Sequence, residues 1–269
     1  MANLLGVRQA ALMVVCVLAA ACCGAFQSPQ EKYQKEMECA SRLTDAKSIE
    51  ILARGMFCCE PLPKSIQSLP EARRFYLLRA SALAPSAPEP YAQIARSYWD
   101  EGNYREALAA FEEEGRREPK PVAALIGKVT MLRLLGEWEA GRNVAEELRA
   151  QKAIDGEKVA DYLEARLLYD EGKCTEAQNL FEKALARSEK SADFLGETPY
   201  TMKDAHFYLA QIRRKSGDPL GGHQEFLLYL KKMSDPDFQL AYKYWVSTFG
   251  SDQAKLYDTV EKEWAHVRQ

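Results

Sequence analysis

Apolar residues recur along this chain three or four positions apart, in short blocks closed by Gly or Pro. That is the spacing of a single buried helix face. The pattern is clearest from Pro88 to Pro119. Tyr91, Ile94, Ala95 and Tyr98 predict one short amphipathic helix, and Tyr104, Ala107, Leu108 and Phe111 predict a second. Between them lies the turn Asp100-Glu101-Gly102-Asn103, where Gly102 lets the chain reverse. Ala95 and Ala107 are small enough for the two helices to approach closely, and Pro119 stops the second.

The same block repeats. Leu125, Val129 and Leu132 mark a helix, Gly136 a turn, and Trp138, Gly141, Ala145 and Leu148 the next helix. Ala165, Leu168, Gly172, Cys174, Ala177, Phe181, Ala184 and Leu185 form a third copy, and Leu209, Ala210, Gly217, Gly222, Phe226 and Leu230 a fourth. The turn glycines are 34, 36 and 45 residues apart. The longer steps place two added residues in Gln151–Glu157 and a polar insertion in Arg187–Lys203. Pro219 stands at the start of a second helix, where proline is tolerated. Upstream, 31–57 is helix-forming, as one helix or as two broken near Thr44-Asp45; Pro61 and Pro63 make 58–64 a loop, and Pro70–Ala84 reads as another second helix.

Small and aromatic residues at these places, in a unit of about 34 residues, resemble the tetratricopeptide repeat. The resemblance implies an all-α fold, a right-handed superhelical solenoid of helix-turn-helix hairpins. Its expected divisions are an N-terminal helical region with a partial repeat (31–87), repeats at 88–121, 122–155 and 156–191, an inserted loop at 187–203, a degenerate repeat at 203–236, and capping helices at 237–269. Tyr242, Trp245, Leu256, Val260 and Trp264 are the expected buried positions of the cap. Such arrays bind other proteins along the groove lined by their first helices. Carried over position by position, the groove residues are Arg96 and Trp99; Ile126, Thr130 and Arg133; Tyr162, Arg166 and Tyr169; and Phe207, Gln211 and Arg214. Aromatic and Arg side chains are common interface anchors, and the arginines favour a peptide with acidic side chains or a free carboxylate. The Asn- and Lys-based carboxylate clamp of chaperone-tail-binding members is not reproduced. The alternative for Tyr162 and Phe207 is packing against neighbouring helices.

Residues 1–21 read as a signal peptide: Arg8, then the apolar run Ala10–Ala21, then Cys22-Cys23. The 12 apolar residues before Cys22 fall short of the about 20 needed to cross a bilayer, although an uncleaved anchor stays open. Ala19-Ala20-Ala21-Cys22 resembles a bacterial lipobox, which would make Cys22 the lipidated first residue; Ala19 departs from the usual Leu, and an ordinary signal peptidase site is the competing reading. A tether at 22–30 follows. The resemblance to bacterial repeat lipoproteins implies export to the cell envelope, on the periplasmic face, with an outer-membrane anchor.

The formal net charge of −3 argues against general nucleic-acid binding, which needs many phosphate-neutralising cations. Of the 7 cysteines, Cys39 lies near Cys58 and Cys59, so one disulfide can form in an oxidising compartment. Cys174 reads as a small core residue. There is no CxxC and no pair of the 3 histidines at metal-ligand spacing, so no metal site or cofactor is implied. HExxH, GxSxG, SxxK and phosphate-loop motifs are absent, and Glu112-Glu113-Glu114 read as a solvated helix turn, so no catalytic residue emerges. The resemblance thus implies a non-enzymatic scaffold with a protein or peptide partner, or alternatively a permanent structural subunit of a larger envelope complex.

Overall fold

The computed structural model describes residues 28–44, 61–151, 156–188 and 203–231. The leader, the Cys58-Cys59 pair, 189–202 of the insertion expected at 187–203, and the expected cap at 237–269 lie outside the described residues. Ten helices make up the described secondary structure: α1 (Pro29–Ser41), α2 (Leu69–Leu83), α3 (Glu89–Asp100), α4 (Tyr104–Arg117), α5 (Val122–Leu134), α6 (Trp138–Ala150), α7 (Gly156–Asp170), α8 (Cys174–Ser188), α9 (Lys203–Lys215) and α10 (Pro219–Lys231). No strand occurs among these residues. The chain divides into two compact units, Met1–Met131 and Leu132–Gln269.

One device shapes all four tight hairpin turns. Gly102, Gly136, Gly172 and Gly217 have φ of 78°, 75°, 88° and 88°, a left-handed conformation that costs glycine no Cβ clash. At each turn the next residue's N–H reaches back five residues: Asn103 to the Tyr98 carbonyl (2.9 Å), Glu137 to Leu132 (2.9 Å), Lys173 to Leu168 (2.8 Å) and Asp218 to Arg213 (2.9 Å). The glycine N–H bonds the carbonyl three residues back, as Gly102 does to Trp99 at 2.9 Å. These paired bonds are the Schellman closure, which satisfies carbonyls a helix end would leave bare.

In the first unit α1 packs on α2, α2 on α3 and α3 on α4. Both α1 and α2 start on capping boxes: Ser28 with Glu31, and Ser68 with Glu71. The first box makes Pro29 helical, so α1 begins inside the expected tether, because Ser-x-x-Glu satisfies two terminal N–H donors. This helix ends at Ser41; 45–57, the rest of the expected helix-forming stretch, lies outside the described residues. Ala95 and Ala107 are wholly buried, and their size allows the close approach of α3 and α4. Arg74 of α2 clamps onto α3, donating to Ser97 Oγ (2.8 Å) and to both Glu101 carboxylate oxygens (2.6 and 3.3 Å) while lying 4.3 Å over the Tyr98 ring. Gly127 of α5 faces Phe111 of α4 so closely that a Cβ there would stand 2.5 Å from the ring. Cys39 is buried and disulfide-bonded, its partner lying outside the described residues.

One expectation is overturned here. Glu114 is not solvated: it shares the buried face of α4 with Ala107, Ala110 and Phe111 and is 5% exposed. It stands seven residues beyond Ala107 and three beyond Phe111, so helical periodicity carries it inward with them. Its Oε2 makes no hydrogen bond. Burial, reinforced by the nearby Glu118 charge and only partly opposed by Arg96, raises its pKa to about 7.

In the second unit α6 packs on α7, α7 on α8, α8 on α9 and α9 on α10. Gly141 of α6 meets Leu167 of α7, where an added Cβ would be 2.8 Å from Cδ2. A buried carboxylate of α7, Asp161, is ringed by cations: Arg149 (3.0 Å), Lys183 (3.1 Å) and Arg187 (3.2 Å). The three come from α6 and α8, so Asp161 ties α7 to both neighbours. Tyr162 and Phe181 are wholly buried, with ring centroids 5.9 Å apart. Pro219 opens α10 as expected, and Asp218 caps that helix by accepting the Gly221 N–H at 2.9 Å. Cys174 is a half-buried free thiol at the start of α8 rather than a fully enclosed core residue.

Candidate functional site

The candidate residues stand on the first helices of the hairpins: α3, α5, α7 and α9. On α3, Arg96 is exposed and Trp99 half-buried. On α5, Ile126 and Thr130 are buried, at 5% and 1% exposure, and Thr130 Oγ donates back to the Ile126 carbonyl at 2.9 Å. These two side chains serve packing.

The second unit assembles the densest set. Arg133, near the end of α5, pairs with Asp170 at the end of α7. Tyr162 is fully buried against Phe181, and burial pushes its hydroxyl pKa upward. Tyr162 therefore takes the packing role, and its hydroxyl accepts a hydrogen bond from Arg166 Nη1 at 3.2 Å. Arg166 is half-buried, with its guanidinium 4.2 Å over the ring of Tyr208. Tyr169 donates through its hydroxyl to Gln211 Oε1 at 2.9 Å, which holds the 7%-exposed Gln211 side chain and joins α7 to α9. Phe207 is half-buried, 5.3 Å from the Tyr229 ring and 5.6 Å from Tyr208. Arg214 is half-buried too, and desolvation lowers its pKa.

Two residues complete this cluster that carrying over the repeat pattern does not select. Tyr208 stacks on Phe181 at 5.4 Å, meets Tyr169 edge-on at 5.0 Å and lies under Arg166. Lys215 Nζ donates to the Tyr169 hydroxyl at 3.4 Å. Their signal was local: three residues before and four after Gln211, they lie on Gln211's own helix face. Arg213, on the flank, engages Glu182 and Glu225, each at 3.2 Å.

Chemically this face offers half-exposed aromatic rings, phenolic hydroxyls and guanidinium groups, which suits non-covalent contact with a polypeptide. No group of three or more His, Cys, Asp or Glu among the described residues is arranged to hold a metal. No helix among them is long and apolar enough to cross a membrane.

A family model described as tetratricopeptide repeat matches residues 93–155 and 162–231. No curated protein matches the sequence. Among solved structures, PilF of Pseudomonas aeruginosa superposes with a TM-score of 0.54 at 12% identity, covering 87% of this chain and 99% of its own. MamA of Desulfovibrio magneticus RS-1 gives 0.51 at 16% identity, over 75% of this chain and 94% of MamA. The anaphase-promoting-complex hetero-tetramer Cut9-Hcn1 gives 0.52 at 15% identity, over 89% of this chain and 44% of the matched one. At these identities the likeness is one of fold.

Proposed function

The chain is a tetratricopeptide-repeat protein, and on that premise we propose that it is a non-enzymatic scaffold of the bacterial cell envelope, holding a protein partner on the faces of its first helices. Tetratricopeptide-repeat domains in general bind protein partners. The observation that carries the reading is the cluster of Arg166, Tyr169, Phe207 and Tyr208, left half-exposed where a fully packed helical pair would bury its rings. Large rings that keep exposed area while fixed by neighbours lose little entropy on binding. Trp99 and Arg96 present a smaller patch of the same kind on α3.

Two features support an exported protein. The sequence opens with Arg8, an apolar run and Cys22, and Cys39 is disulfide-bonded, a bond typical of oxidising compartments. Cys22 is the proposed lipid attachment point. Mass and membrane fractionation of the mature protein test this: a diacylglyceryl mass, lost together with membrane association in Cys22→Ala, supports the anchor. A soluble product beginning after the leader refutes lipidation, and retention of Met1 refutes export.

The scaffold itself is tested by placing a photo-crosslinker at Phe207 and, separately, at Trp99. A discrete crosslinked partner, weakened by Trp99→Ala with helicity unchanged, is the expected result; absence of any adduct at both sites refutes it. The permanent-subunit reading draws on Leu220 and Leu228, exposed at 69% and 40% on α10. It predicts a complex that survives high salt and the Trp99 substitution.

A further inference from the structure

Within the second unit, Arg166 and Lys215 make no ion pair among the described residues. Arg166 is half-buried, yet no described carboxylate lies within ion-pair distance of it; its partners are the Tyr162 hydroxyl at 3.2 Å and the Tyr208 ring at 4.2 Å. Its Nε is buried and makes no hydrogen bond. The acid one turn further along α7, Asp170, is engaged by Arg133 and favours the Arg166 charge only from beyond ion-pair distance. Lys215, exposed at the end of α9, likewise reaches only the Tyr169 hydroxyl among the described residues. The two cations belong to one contiguous surface, because Tyr208 contacts both Arg166 and Tyr169, and Tyr169 contacts Lys215.

Several other arginines are matched with acids: Arg74 with Glu101, Arg142 with Glu171, Arg149 with Asp161 and Glu164. An unmatched guanidinium held partly away from water costs free energy that an incoming anion recovers. A ligand carboxylate would exchange a neutral phenol acceptor for an ionised one. From this juxtaposition we propose that the Arg166–Tyr169–Lys215 surface is a subsite for an acidic segment of a protein partner, with side-chain carboxylates meeting Arg166 and Lys215. This rests on the scaffold reading and gives it a partner chemistry. Two cationic centres, on α7 and on α9, call for carboxylates along a segment rather than one terminal carboxylate. Nucleic acid, whose binding needs many phosphate-neutralising cations, is disfavoured by the net charge of −3.

The test measures fluorescence anisotropy of a labelled, amidated peptide library with fixed glutamates between randomised positions, against its glutamine counterpart, using the full mature chain. The glutamate library binds, the glutamine library binds at least about tenfold more weakly, and Lys215→Glu and Arg166→Met each weaken binding by about tenfold, the equivalent of one charge-assisted contact. Lys215 is exposed, so its variant stays folded even where Arg166→Met does not; thermal melts report on both. Arg116→Glu, on exposed α4 surface, leaves affinity unchanged. Equal binding of the two libraries, absence of binding, indifference to Lys215→Glu, or displacement by a single-stranded oligonucleotide overturns the proposal. If the library fails while the Phe207 crosslinker still captures a partner, the acidic chemistry is wrong and the scaffold reading stands. If both fail, the scaffold reading falls with it.

Discussion

Glu114 makes the stability of the first unit depend on pH in the direction opposite to most carboxylates. Its pKa is raised from 4.5 to about 7 by burial first, then by repulsion from Glu118, with Arg96 giving partial relief. The folded form therefore prefers the protonated acid. The contribution of Glu114 is fully present below the unfolded-state pKa and is lost as pH rises through about 7. A shift of this size corresponds to at most about 3 kcal/mol. Arg96 and water at the helix edge screen the charge, so about 2 kcal/mol is the working figure.

Urea unfolding followed by far-ultraviolet circular dichroism at about pH 5 and about pH 8 measures it directly. Glu114→Gln keeps the shape and removes the charge. It should match the wild type at the lower pH and exceed it by about 2 kcal/mol at the higher one. Glu118→Gln removes one cause of the shift, so its loss of stability begins at the same pH as in the wild type, is complete at a lower pH, and is smaller at pH 8 by a few tenths of a kcal/mol (about 0.5). Parallel pH profiles for wild type and Glu114→Gln would refute the reasoning, for they would mean that the Glu114 carboxylate ionises without cost in the folded chain.

The other predictions concern packing and staples. Gly127→Ala drives a methyl to 2.5 Å from the buried Phe111 ring and costs about 2 kcal/mol, whereas Gly141→Ala meets the movable end of Leu167 and costs about 1 kcal/mol; thermal melts that rank them the other way contradict this. Asp161→Asn leaves Arg149, Lys183 and Arg187 without their shared buried acid. It destabilises the second unit by about 2 kcal/mol, below the usual range for a buried pair because the cations reach water, with hydrogen exchange in α7 as the readout. Reduction of the Cys39 disulfide lowers stability by about 3 kcal/mol, and a Cys39→Ala variant should show no further response to reductant.

The repeat was legible in the sequence because it rests on local rules. Glycine at φ near 80° has no good substitute in a Schellman turn, so Gly102, Gly136, Gly172 and Gly217 reveal the hairpins even where spacing slips. Small residues at Ala95 and Ala107 announce close helix approach for the same steric reason. Glu114 was equally readable by periodicity, but a run of three acids masks the one that belongs to the core face. The candidate site was legible only in part. Position within a repeat tells which helix a residue rides on, and so found Arg166, Tyr169 and Gln211. It does not tell whether a side chain is spent on packing, as Tyr162 and Thr130 are, because that depends on the ring or helix that happens to face it. Nor does it tell which cation is matched. Arg133 and Arg166 occupy first-helix positions alike, yet Arg133 finds Asp170 from another helix while Arg166 finds only Tyr208 and Tyr162. The partners that set the two apart, Asp170 for Arg133 and Tyr208 for Arg166, come from other helices, and that difference is what motivates the proposal of an acidic ligand at Arg166.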